Sequence, residues 1–415
     1  MTIVLRLPPE VHSEIANWID SPDDIWAFAL TCRSLSKVAH PVHTHARLLR
    51  CPLEALYIWE VLARDAALAH NVRALDIRSP PNVLDSPYNL PYLFRRYDLA
   101  DSQDSLALQP DRTVPRYLER TTAAAIKNLK NLVAVTWSSR ARRFNATETE
   151  TDMEDLWMVL ASSCPNLTRL HVKEYFPRFI WSQSNIFNLS NLTFVEYETD
   201  IFGLEPGTAA CEAFGGMLRE RCPGLKTLII RFVFVAFSGD PPPLIGQSIL
   251  SGRWADLEHV KLENVACYPP DAETFLAAHP NIRHLDIDAW FGCPPLPIIS
   301  EAVDNICELP LTLPPGALPK LETLVCQTGH AADILSLFRE SKPRGPKTSI
   351  LLNIPRFWHP RLAELLQSGI LDGLEGVSLV NVDNARLFVS DMAPRIRRAR
   401  VVRVLRKTRD FHSGK

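Results

Sequence analysis

Residues able to do covalent chemistry are plentiful in this 415-residue chain, yet none stands at a spacing that lets it act. Gly345-Pro346-Lys347-Thr348 has the residue types of a phosphate-cradling loop. Pro346 separates the glycine from the lysine, and the fifth residue before Gly345 is Glu340 rather than Gly, so no run of backbone N–H groups gathers round an anion. His43 and His45 are two apart and have no third ligand at a metal-binding interval. The nine cysteines are odd in number and include no C-x-x-C pair, which argues against a zinc ribbon and a secreted disulfide framework. Acidic pairs recur throughout and so single out no acid–base dyad. No catalytic residue, metal ligand or cofactor is assigned. A hydrolase or transferase in an irregular α/β fold would need a converging polar pocket, and no spacing announces one.

What remains is recognition chemistry, and a repeated short unit positions it. The unit has the form apolar-x-x-apolar-x-apolar, as in Leu167-x-x-Leu170-x-Val172 and Leu225-x-x-Leu228-x-Ile230. Clear copies start at Val72, Leu132, Leu167, Leu192, Leu225, Leu257, Ile282, Leu321 and Leu374, with a poorer one near Leu352. Most steps are 25 to 39 residues, the size of one repeat of a stacked architecture. Between copies lie amphipathic stripes such as Leu156, Leu160 and Cys164, or Leu362, Leu365 and Leu366. Several end in a small residue plus proline, at Cys164-Pro165, Cys222-Pro223 and His279-Pro280, where proline stops the helix. The predicted unit is therefore helix, proline stop, turn, short strand and loop, giving an α/β fold with a parallel strand ladder and outer helices. The cysteines read as small buried residues at the helix–strand corner.

A strand that buries its pattern residues turns the alternate positions outward. Those positions are Arg169, His171 and Lys173, then Phe194, Glu196 and Glu198, then Thr227, Ile229 and Arg231. They continue with His259, Lys261 and Glu263, then His284, Asp286 and Asp288. Earlier strands offer Ala134, Thr136 and Ser138, and later ones Thr323, Val325 and Gln327. Charge and imidazole concentrate in the middle of the array, so its charged and histidine residues are the candidate target-binding set, with Tyr175, Phe176, Trp290 and Phe291 as rim aromatics.

The N-terminus carries a different device. In Leu7–Ala39, Val11, Ile15 and Ile19 make one apolar helical stripe. Ser21, Pro22, Asp23 and Asp24 form a helix start. Ile25, Ala29 and Leu30, then Cys32, Leu35 and Val38, continue the apolar faces. Three short helices cannot bury this surface among themselves, so it calls for a partner or for the rest of the chain.

At Leu7-Pro8-Pro9-Glu10, Ile15, Ile19, Asp20, Pro22, Asp24, Ile25, Leu30, Cys32, Arg33, Val38 and Ala39 the stretch resembles the F-box, with Leu35 where many F-boxes carry Trp. The lines CPNLTRLHV and CPGLKTLII resemble the leucine-rich repeats of F-box proteins. The resemblance implies a three-helix F-box at residues 1–48, a linking helix at 49–70, and a degenerate leucine-rich-repeat solenoid at 71–405 with insertions at about 79–120, 238–252 and 292–318. A basic tail follows at 406–415. It implies a substrate receptor of a Skp–cullin–F-box ubiquitin ligase, non-catalytic itself. Leu7, Pro8, Ile15, Ile19, Ile25 and Leu30 would hold the Skp-type adaptor, and through it a cullin, while the repeats hold a protein target. The alternative is a repeat scaffold without a ubiquitin role, its N-terminal helices serving as a cap. The net charge of −2 gives no general preference for nucleic acid or anionic membrane. Arg6 and Pro8 break any signal-peptide core, which points to the cytoplasm or nucleus.

Overall fold

The computed structural model describes residues 7–19, 22–39, 47–53, 55–78, 114–140, 154–175, 184–199, 209–232, 246–291, 311–327 and 334, with the strands at 349–353, 376–380 and 401–405. The chain divides into two compact units, Met1–Phe194 and Val195–Lys415.

Three short helices open the first unit: α1 (Pro9–Trp18), α2 (Pro22–Leu30) and α3 (Arg33–Ala39). Proline starts α1 and α2, where a missing N–H costs no helical bond and φ is already set. Asp23 and Asp24 lie at the positive end of α2. α3 packs against both other helices, and Ala16, Ile25, Ala29, Leu35 and Ala39 fill the space between. The buried Arg47 guanidinium donates from Nη2 to the Ala16 carbonyl, tying α1 to the chain just before the first strand.

The rest of the first unit alternates strand and helix. β1 (Leu48–Cys51) is followed by α4 (Leu56–Arg64) and α5 (Ala66–Ala69), then β2 (Ala74–Arg78), α6 (Val114–Asn128), β3 (Ala134–Arg140), α7 (Glu154–Ser163) and β4 (Arg169–Tyr175). The strands pair in chain order, all parallel, with Leu75 opposite Val135 and Val135 opposite Leu170. α6 packs between α4 and α7. Trp157 of α7 meets Trp137 of β3 at 5.3 Å between ring centroids, so the helices cover the face that the pattern residues point to.

The second unit continues in the same manner. Its elements are β5 (Phe194–Thr199), α8 (Ala209–Gly216) with a π-helical turn at Met217–Arg221, β6 (Thr227–Phe232), a π-helical turn at Gly246–Leu250, β7 (His259–Cys267), α9 (Pro269–Ala278) and β8 (His284–Phe291). β9 (Thr323–Gln327), β10 (Ser349–Asn353), β11 (Gly376–Val380) and β12 (Val401–Leu405) complete it. Strand order again follows the chain, and every pair from β6 to β12 is parallel. Tyr197 of β5 packs on Phe214 of α8, and Val260, Leu262, Leu285 and Ile287 face Leu250, Phe275 and Leu276.

The repeated pattern is the cause of this order. From Val72 to Leu324 every pattern residue is 0–6% exposed. Burying a Leu, Val or Ile side chain contributes about 1.5–3 kcal/mol, which outweighs any local preference of the outward residues. The corner before each strand is equally regular. Cys164, Cys222 and His279, each three residues ahead of a pattern start, are buried and accept the N–H of Leu167, Leu225 and Ile282. One carbonyl of the preceding repeat then takes two N–H groups of the next, as Arg73 does from Val133 and Ala134 and as Glu258 does from Arg283 and His284. Asparagines just before the pattern add a side-chain rung: Asn131 Nδ2 donates to the His70 carbonyl at 3.0 Å, Asn166 to Lys130 at 3.1 Å, and Asn281 to Ala255 at 2.7 Å. Asn191, at the same position, takes a φ of 60°, a conformation asparagine tolerates.

Four features differ from the sequence-based expectation. The segment 49–70, expected as a linking helix, begins inside β1, which pairs with β2, so the strand ladder starts at Leu48. Leu49 and Cys51 are buried and supply the apolar alternation that so short a strand hid. The segment 79–120, expected as an excursion, includes the start of α6. The segment near 238–252 contains the helical turn Gly246–Leu250, whose Ile249 and Leu250 are buried against α8 and α9. The end of the 292–318 segment packs inward through Leu311, Leu313 and Leu318. His43, His45, Phe176, Gly345–Thr348 and the 406–415 tail lie outside the described residues.

Candidate functional site

The outward face of β5–β8 in the second unit gathers the charged residues expected there. Arg231 on β6 is its hub. Its Nη1 donates to Glu196 Oε1 at 2.6 Å and lies 3.4 Å from Glu198 Oε2, both on β5, and its Nε lies 3.4 Å from Glu263 Oε2 on β7. Lys261 carries the network onward, with Nζ 3.4 Å from the same Glu263 oxygen and 2.5 Å from Asp286 Oδ2 on β8. The register explains the meeting: Arg231 stands opposite Glu263, and Lys261 opposite Asp286. Burial alone would weaken the Lys261 ammonium, but its hydrogen bond to Asp286 and the Asp286 and Glu263 charges outweigh this and hold its pKa above the ordinary lysine value.

His259 and His284 are also opposite one another, with ring centroids 5.5 Å apart. Burial, helped by the neighbouring imidazole, holds the His259 pKa below its ordinary value. Asp288 lies in β8 opposite Glu263, and only its backbone position is described, as for Trp290, Phe291 and Tyr175. Two outward positions are more covered than strand alternation predicts: Glu196 is 8% exposed and Ile229 7%.

In the first unit the outward residues of β4 are placed separately. Arg169 is exposed and stacks its guanidinium over the ring of Phe194, the last residue of this unit, at 4.7 Å, while His171 and Lys173 are half-buried. Sequence reasoning passed over the pair Arg50–Asp76, joined at 2.8 Å across β1 and β2. Asp76 stands between Leu75 and Ile77, the same outward place in the pattern, and that was the available signal.

A second candidate surface lies on α1 and α2. Trp18 is 79% exposed and Leu30 80%, with Val11 and Trp26 also exposed. Pro8 is exposed, and Leu7, Ile15 and Ile19 are half-buried. Ile25, expected among the adaptor contacts, is fully buried between the helices, because α3 closes over that side of α2. Leu35, where many F-boxes carry Trp, is buried as well. Trp18 and Trp26 went unremarked in the sequence, since helical periodicity ranks residues by face without telling which face the neighbouring helices take.

Among the described residues no group of three His, Cys, Asp or Glu side chains could hold a metal ion, and no helix is long and apolar enough to cross a membrane. The fold and its faces define an α/β protein with a parallel strand ladder, a charged strand face and a three-helix N-terminal module. No protein-family model matches the sequence, and no curated protein matches it.

Proposed function

We propose that this chain is a substrate receptor of a Skp–cullin–F-box ubiquitin ligase, with α1–α3 as its F-box and the strand ladder as a degenerate leucine-rich-repeat solenoid that holds the target. The observation that carries the reading is the exposure of Trp18, Trp26 and Leu30 on two helices of a module whose own interior is already filled. Trp26 and Leu30 lie one turn apart on α2, and large exposed apolar side chains that adjoin in this way mark a surface that another protein covers. The ladder then supplies what a receptor needs, a broad polar face of parallel strands. Its contribution to ubiquitin transfer is proximity: holding the target's lysines near a charged conjugating enzyme raises their effective concentration, and no residue of this chain takes part in bond making.

The test is co-purification of the full chain with a Skp-type adaptor, beside Leu30→Asp and Trp18→Ser. Adaptor capture by the wild type and its loss in folded variants supports the receptor. A folded wild-type chain that captures no adaptor rejects it in favour of a repeat scaffold without a ubiquitin role.

A further inference from the structure

Arg219 and Arg253 converge on one turn of the second unit. Arg219, half-buried on the π-helical turn after α8, donates from Nη1 to the Ser248 carbonyl and lies 3.3 Å from Ser251 Oγ. Arg253 donates from Nη1 to the carbonyls of Leu250 at 3.1 Å and Gly252 at 2.7 Å, on either side of the same serine. All four acceptors are neutral, and neither guanidinium pairs with a carboxylate among the described residues. Two whole positive charges therefore border one exposed hydroxyl. Each guanidinium carries about five N–H donors, more than these acceptors use.

The turn is held from several sides. Ile249 and Leu250 are buried, and the Trp254 indole donates to the Leu218 carbonyl at 3.1 Å. A Cβ at Gly215 would overlap the Ser248 carbonyl, so glycine there lets α8 come this close. A phosphate on the Ser251 oxygen would carry a charge of about −1.5 to −2 at neutral pH and three strong acceptor oxygens. That charge matches two arginines, whose planar donor forks suit phosphate oxygens.

We propose that Ser251 is a phosphorylation site and that Arg219 and Arg253 hold its phosphate, fastening the turn ahead of β7 to α8. A protein kinase supplies the group from a nucleoside triphosphate. The Ser251 oxygen bonds to the γ-phosphorus, the bond from that phosphorus to the β–γ bridging oxygen breaks, and the nucleoside diphosphate leaves. The hydroxyl proton passes to the base of the kinase. The site is independent of adaptor docking by α1–α3.

The experiment uses the full chain in two arms. In the first, the native chain is incubated with magnesium ATP and a protein kinase that prefers serines close to arginine, and phosphate is mapped by peptide mass spectrometry. Ser251 is expected to be modified, and a native chain left unmodified there overturns the proposal. In the second, phosphoserine is installed in place of Ser251 during translation and titrated by phosphorus NMR. Phosphoserine ordinarily loses its second proton near pH 6, with the midpoint at about 6. Two adjoining guanidiniums should bring that midpoint down by about one pH unit or more. Arg219→Gln/Arg253→Gln should return it to the ordinary value, and the phosphorylated wild type should melt at a higher temperature than the unmodified chain. An ordinary or raised midpoint in the phosphorylated wild type, a midpoint that the double variant leaves unchanged, or no gain in melting temperature each overturns the proposal. The wild-type titration decides alone if the double variant does not fold.

Discussion

The imidazole Nε2 of His279 accepts the backbone N–H of Trp254 at 3.0 Å. Both residues occupy the corner three positions before a strand pattern, in consecutive repeats, so a side chain of the later repeat holds the backbone of the earlier one. His279 Nδ1 donates to the Phe275 carbonyl at 2.6 Å, which fixes the neutral Nδ1–H tautomer. The ring also stacks on Trp254 and touches Phe275. Burial, only partly offset by the Phe275 carbonyl, keeps the His279 pKa below its ordinary value. In the unfolded chain the ring takes a proton near pH 6.5. As pH falls below that value the unfolded state binds a proton that the native state resists, so stability present above about pH 6.5 is progressively lost below it. Thermal melting should drop between neutral and mildly acidic pH, with His259 acting in the same sense. His279→Ala should cost about 2–4 kcal/mol at neutral pH, from the orphaned Trp254 N–H and the lost packing, and should flatten the acid slope. An unchanged slope in the variant would show that other groups set it.

The strand ladder was legible in the sequence because one physical rule, burial at alternate positions after a fixed corner, recurs from Val72 to Leu324. The corner could be read at Cys164-Pro165 and Cys222-Pro223, where proline marks the stop. It could not be read at Trp254, which has no proline and is linked to His279 through a backbone N–H 25 residues away. β1 escaped notice because four residues carry too little alternation to stand out. The charged strip was legible as a set of outward positions, and register then decided that Arg231 meets Glu263. The residues expected to face an adaptor were the least legible. Ile25 and Leu30 share one apolar stripe in sequence, and only the placement of α3 buries the first and leaves the second 80% exposed.

The asparagine rungs predict a dependence on donors rather than on size. Asn131 Nδ2 gives its hydrogen to the His70 carbonyl at 3.0 Å. Asn131→Ala should cost about 1 kcal/mol, the net worth of an ordinary hydrogen bond. Asn131→Asp keeps the shape but offers no donor and sets a carboxylate against a carbonyl, so it should cost more than alanine. Urea unfolding of the two variants checks this, and equal stability of Asp and wild type would mean that the rung carries nothing.

Thiol reactivity should follow burial. Burial pushes the Cys164 thiol up to about 11 against a small opposing pull from Lys130, and burial is also the main cause that places Cys211 at about 11. Burial raises Cys51 and Cys267 further, with Asp76 and Asp271 adding to it. Only the thiolate is nucleophilic, so these four should resist alkylation of the native protein at about pH 8. Cys32, half-buried between α2 and α3, should be labelled first among the described cysteines. Timed alkylation followed by peptide mass spectrometry gives the order. Labelling of Cys164 as fast as Cys32 would mean that the helix–strand corner opens readily.

Two neighbouring substitutions on α2 separate folding from docking. Leu30 is 80% exposed, and an aspartate there should change stability by less than about 0.5 kcal/mol. Ile25 is fully buried, and an aspartate in its place must be desolvated or protonated, at a cost of more than about 3 kcal/mol. Both variants should lose adaptor capture, but for different reasons: Leu30→Asp keeps the wild-type melting temperature, while Ile25→Asp lowers it and leaves the N-terminal helices open to proteolysis. Leu30→Ala should retain part of the capture, because it removes contact area without adding charge. If Leu30→Asp melts like Ile25→Asp, Leu30 is a packing residue and the exposed face of α2 is not available to a partner. If Leu30→Asp keeps both its stability and the adaptor, docking uses another surface, and Trp18 on α1 becomes the next residue to change.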